Sequence, residues 1–148
     1  MKPAVLEKLI EMADRKRELA AGRRARAEQA RAKASGTLQS LEQYRQSHRD
    51  NRRAAIGLLP GASGLAVHAR FGGKLDEAIE AQREQCRSLE LSVDARSDEL
   101  RKAHARLQAL RALEQRRERA RRRREDAAEQ RTQDDLVSGR HSLGRAGR

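Results

Sequence analysis

The sequence predicts an all-α fold: a long antiparallel two-helix coiled-coil hairpin with a disordered C-terminal tail. Three observations carry that prediction. Charged residues make up 38 % and aromatics 1 % of the 148 residues, so the chain lacks the large side chains that an ordinary globular core buries to offset ordering entropy. Its abundant Ala, Leu, Glu, Gln and Arg all favour helix. The stretch IGLLPGASGL, 56–65, then interrupts two long helix-compatible segments with Gly57, Pro60, Gly61 and Gly64.

The first helix is expected over 3–55. Pro3 suits a first-turn position, because its missing N–H costs nothing there. Val5, Leu6, Leu9, Ile10, Met12, Ala13 and Leu19 open the segment with helical spacing, and Leu38 and Leu41 resume it. Between them, over 20–34, alanines alternate with Arg23, Arg24, Arg26, Arg31 and Lys33. Gly22 and Gly36 add a helix penalty of roughly 1 kcal/mol each, so this middle section reads as a weak seam.

A linker is expected over 56–73, because Gly72 and Gly73 follow the first interruption. Phe71, the only phenylalanine, stands at its far edge. The second helix is expected over 74–135 and carries the clearest pattern. Alternating steps of four and three from Leu75 reach Ile79, Gln82, Cys86, Leu89, Val93, Arg96, Leu100, Ala103, Leu107 and Leu110. Nine of these eleven positions are apolar or cysteine, which selects a left-handed coiled coil over a solvated single helix. The rest, 136–148, is small and basic and reads as a disordered tail.

One hinge between two long helices implies that they fold back on each other over about 75 Å. Pairing about the hinge places residue n roughly opposite 128 minus n, to within a heptad. Leu6, Leu9 and Ile10 then face the arginine run near 118–122, where no apolar stripe awaits them. The expectation is an end that frays alone and keeps apolar residues available for a partner.

The residues offer no catalytic constellation. His48, His68, His104 and His141 are scattered without ligand spacing, so neither a metal nor another cofactor is expected. Cys86 sits on the seam as a small hydrophobe, and FGGKLD lacks the strand and Lys-Ser/Thr context of a phosphate loop. The chain reads as a non-enzyme. No apolar run approaches the ~20 residues of a membrane span, the opening MKPAVLEKLIEMADRK does not read as a signal peptide, and a lone cysteine suits a reducing cytoplasm. The net charge of +12 favours acidic partners. Arg116, Arg117, Arg119 and Arg121 to Arg124 surround the helix without the base-reading residues or stacking aromatics of a specific nucleic-acid binder. Nonspecific nucleic-acid binding and a generic coiled-coil scaffold remain the alternatives, with no specific nucleic acid expected.

FGGKLDEAIEAQ, followed by RLQALRALEQRR, resembles the FliJ family of flagellar type III export proteins. LEQYRQ late in the first helix and QDDLV ahead of the tail add to the resemblance, which covers nearly the whole chain. Virulence-type secretion stalks share the architecture. The resemblance implies a cytoplasmic coiled-coil stalk, held at the inner membrane at the flagellar base through its partners. Those partners would be the hexameric export ATPase, the export-gate membrane protein and export chaperones. It places a gate-binding face on Phe71, Leu75, Ala78 and Gln82, which share one side of a helix. Leu6, Leu9, Ile10 and Ala13, with Arg116, Arg117 and Arg121, are the expected contacts to the ATPase, whose assembly and activity the stalk would promote.

Overall fold

The computed structural model describes the backbone of 3–55 and 61–145 and the side chains of 3–55 and 62–138. All of that backbone is α-helical, in two elements: α1, Pro3–Ala55, and α2, Gly61–Arg145. Two long helices joined by a short link form a coiled-coil hairpin. By packing, the chain divides into one unit of Lys16–Ala103 and another of Met1–Arg15 with His104–Arg148.

α1 begins with Pro3 and ends with Arg52 and Arg53 in its last turn, where cations face the negative end of the helix dipole. Its inward face repeats every seven residues: Leu6, Ala13, Ala20, Ala27, Ala34, Leu41, His48 and Ala55 are all buried or half-buried. On α2, each of the eleven positions from Leu75 to Leu110 picked out by the four-three step is likewise buried or half-buried. A 3.5-residue burial period on both helices is the signature of knobs-into-holes packing.

Within Lys16–Ala103 the helices run antiparallel. Arg24 donates to Ser97 Oγ at 3.1 Å, Gln82 Nε2 to the Ala34 carbonyl at 2.9 Å, and Arg83 pairs with Glu42 at 2.9 Å. Some alanines of 20–34, expected to make a weak seam, belong to the core here: Ala20 and Ala34 are buried and Ala27 is half-buried, while Ala25, Ala30 and Ala32 are exposed. A methyl group fills little space, so a side chain from α2 can reach the α1 backbone, as Gln82 does. The seam's one neutral polar residue thereby keeps a hydrogen bond instead of losing its solvation. Arg96, the seam's charged residue, stays half-buried and pairs with Glu99 on its own helix, its stem lying along the seam and its head at the edge.

The unit of Met1–Arg15 and His104–Arg148 has its own small core. Leu107 is 1 % exposed, and Leu6 and Ala13 are buried in the same unit. Arg111 reaches Asp14 across the two helices at 4.0 Å.

Three expectations are corrected. α2 opens at Gly61, inside the segment 56–73 read as linker, and runs unbroken through Gly72 and Gly73. Gly72 serves close packing: a Cβ there would lie 3.0 Å from Arg45 Nη1 and 3.4 Å from His48 Cε1. Residues 56–60, including Gly57 and Pro60, lie outside the described residues. The register lies at the edge of the heptad allowed for it. The 128-minus-n rule sets residue 45 opposite 83, whereas Arg45 pairs with Asp76, one heptad nearer the hinge. A shorter link moves the centre of pairing toward the N-terminus. Finally, the N-terminal turns do not fray, since Leu6 and Ala13 are buried. α2 also continues past 135 to Arg145, so the backbone of 136–145 is helical where a disordered tail was expected; side chains from 139 onward, and 146–148 altogether, lie outside the described residues.

Leu107→Ala should cost about 2–5 kcal/mol, because it empties the most enclosed position of a thin core. Leu91→Ala, at a position 70 % exposed, should stay within about 0.5 kcal/mol of the parent. Urea unfolding followed by circular dichroism compares the two.

Candidate functional site

A polar cluster lies where the end of α1 meets the start of α2, within Lys16–Ala103. The heptad step brings Leu41, Arg45 and His48 of α1 inward, and His68, Gly72, Leu75 and Ile79 of α2 toward them. Arg45 grips Asp76 with both ends of its guanidinium: Nε donates to Oδ1 at 2.6 Å and Nη2 to Oδ2 at 2.7 Å. The Arg45 side chain is 18 % exposed, and this two-point grip holds the Asp76 carboxyl below its ordinary range. Gly72 leaves room for the guanidinium to lie there.

One turn further along α1, His48 is buried among rings. Its Nε2 lies 3.3 Å from His68 Nδ1, and its ring centroid is 5.4 Å from that of His68 and 5.1 Å from that of Phe71. His48 Nδ1 is buried with no hydrogen-bond partner among the described residues. Burial first, then the neighbouring His68, Arg45 and Arg52, push the His48 imidazole below its ordinary value, with Asp76 opposing. Phe71 is thus held from one side by His48 and left 46 % exposed on the other.

The four residues of the expected gate-binding face fall in two sets. Phe71 and Ala78 are exposed, while Leu75 is buried in the seam and Gln82 is half-buried and bonded to Ala34. The pattern missed that Val67, 64 % exposed, lies one helical turn before Phe71 on the same side. It also missed the His48 contact, which needed the correct register to be seen.

The other expected contact set lies in the unit of Met1–Arg15 and His104–Arg148. Leu6 and Ala13 are buried, Leu9, Ile10 and Arg117 half-buried, and Arg116 and Arg121 exposed. A shallow groove lined by Pro3, Leu6, Glu114, Arg117, Glu118 and Arg121 is where the apolar start of α1 meets the basic run of α2. The arginine stems supply apolar cover that the expected mismatch left out of account. Val5 and Met12, with Leu9 between them at four-three spacing, form a second, exposed line on α1. Their spacing was visible in the sequence; which of the two apolar lines would be buried was not.

Part of the arginine charge here is already engaged. Glu118 accepts from Arg121 Nη2 and Arg122 Nε, each at 2.9 Å, and Arg121 also reaches Glu125 at 2.7 Å. Those hydrogen bonds lower the Glu118 carboxyl from 4.5 to about 2. No group of three or more His, Cys, Asp or Glu among the described residues is placed to hold a metal. The arrangement suits recognition along helix faces. No helix among the described residues is long and apolar enough to cross a membrane.

A carboxyl acidified by folding supports the folded state fully above 4.5 and loses that support as pH falls through about 2. Helical content should therefore decline across that window, and Glu118→Gln should show a shallower decline. An acid titration followed by far-ultraviolet circular dichroism at low salt provides the comparison.

Neither the curated proteins nor the solved structures contain a match to this chain. The family described as "Flagellar FliJ protein" matches residues 1–146. With a two-helix coiled coil underneath it and a match along almost its whole length, the chain belongs to the FliJ family and is a component of flagellar type III protein export.

Proposed function

We propose that this chain is the coiled-coil stalk that links the hexameric export ATPase to the export gate, working in the cytoplasm at the inner face of the membrane at the flagellar base. The observation that carries the reading is the placement of Phe71. A chain with one phenylalanine leaves it 46 % exposed, while the neighbouring seam residues Leu75 and Ile79 are buried. Together with Val67, 64 % exposed one helical turn earlier on the same side, the ring makes an apolar patch that a partner can cover. In this reading Phe71 and Ala78 touch the gate protein, and Leu75 and Gln82 hold them in place from the seam.

The ATPase contact uses Leu9, Ile10, Arg116, Arg117 and Arg121, with Leu6 and Ala13 supporting them from inside. A ligand that prefers the assembled hexamer raises its population by mass action, and with it the turnover that depends on assembly. Export chaperones are the third class of partner. The engagement of Arg121 and Arg122 by Glu118 weakens the competing nucleic-acid reading, because paired cations release fewer phosphate counterions.

The full chain should co-purify with the export ATPase and stimulate its turnover. Phe71→Ala should leave that stimulation intact and weaken capture of the gate protein's cytoplasmic region by about tenfold or more, in line with loss of an aromatic anchor. No capture and no stimulation by the parent chain would overturn the stalk reading.

A further inference from the structure

The contact between His48 and His68 is an uncommon way to close a coiled coil. His48 holds the position in the seven-residue repeat taken by Leu or Ala elsewhere on α1, so a titratable ring stands where an apolar one would serve. We propose that the His48–His68 pair is an acid-labile clasp, holding the last turns of α1 to the first turns of α2 at neutral pH and releasing them when protonated.

The argument rests on where protons can sit. Two imidazole nitrogens at 3.3 Å form a hydrogen bond only if one carries a hydrogen and the other a lone pair. His48 Nδ1 is buried without a partner, and a bare acceptor is less costly in that position than a stranded N–H. The favoured arrangement is neutral His48 with its hydrogen on Nε2, donating to the lone pair of His68 Nδ1. A proton added to His48 must sit on Nδ1, where nothing accepts it. A proton added to His68 must sit on Nδ1, where it would oppose the hydrogen it receives. Either addition breaks the clasp or strands a charge.

The surrounding groups deepen the effect. From α1, Arg45 and Arg52 act on His48, Arg49 acts on Asp76, and among the described residues Asp76 of α2 is the carboxylate that favours a proton on His48. That carboxylate is already held by both ends of Arg45. Folding therefore lowers the proton affinity of His48 below the ordinary 6.5. The unfolded chain then binds more protons than the folded one, and stability falls as pH drops below 6.5 toward the folded value. Asp76 and Glu118 have lowered values of their own, starting from 3.8 and 4.5, so they remain charged through this window.

The test uses the full chain, its His48→Phe and His68→Gln variants, and His104→Gln as a control, since His104 is exposed on the other packing unit. Melting is followed at pH 7.5 and pH 5.5, and long-range proton–nitrogen spectra assign the imidazole tautomers. The clasp predicts that the parent melts several degrees lower at the acidic pH. The drop should shrink in both clasp variants and persist in the control. The spectra should show His48 protonated on Nε2 and titrating below 6.5. His48→Phe keeps an aromatic ring in the seam, so it should fold; if it does not, His68→Gln and the parent spectra decide. An equal drop in all four proteins, or a His48 that carries its hydrogen on Nδ1 at neutral pH, would overturn the proposal. A melting point raised by zinc at neutral pH and unchanged by acid would overturn it in favour of a metal-binding pair.

Discussion

The structure depends on a seam one side chain wide. Without tryptophan, and with single tyrosine and phenylalanine residues that both stay largely exposed, this chain has only the repeat of Leu, Ile, Ala and a few guests to bury. Leu6, Leu75, Ile79 and Leu107 are the large apolar side chains it buries most fully among the described residues, and alanines along the seam of α1 let the helices approach between them. A seam that narrow cannot tolerate a slip, because a shift of one residue rotates each apolar side chain away from its partner. The polar guests reinforce the register. Gln82 is satisfied by one backbone carbonyl and Arg45 by one carboxylate, and neither interaction survives sliding.

The same constraint decides what kind of function is available. Two helices sharing a thin seam enclose no deep pocket, so recognition must occur on their outer faces. Those faces are dominated by ion pairs within a single helix, such as Arg87 with Glu84 and Arg96 with Glu99, which support helix formation and saturate charge. Against that background the exposed apolar side chains stand out: Val67 and Phe71 near the hinge, and Val5 and Met12 near the start of α1. Membership of the flagellar FliJ family gives these surfaces a setting in which partners are expected.

How much could be read beforehand varies by element, for physical reasons. The second helix announced itself because its seam is built of large apolar residues at an unbroken 3.5-residue period. The first helix was legible in its bounds, 3–55, but its seam was not, since alanine on a seam looks the same as alanine on a surface, and a histidine at a seam position looks like a polar interruption. Gly72 and Gly73 suggested a break because glycine usually weakens helix; at Gly72 the missing Cβ instead makes room for Arg45 and His48. That misplaced hinge moved the register by a heptad and hid the approach of His48 to Phe71. The exposed side of Phe71 and the split of its expected face into seam and surface positions required knowing which residues the other helix covers.

The central claim is that α1 and α2 of one chain pair antiparallel along this seam. Spin labels at Gln39 and Glu90, which line opposite sides of one groove, in a chain with Cys86 replaced by alanine, measure that pairing directly. The account predicts one short, narrow distance that is unchanged when labelled chains are diluted with unlabelled ones. A distance that disappears on dilution would show that the partner helix comes from another molecule, and would contradict it.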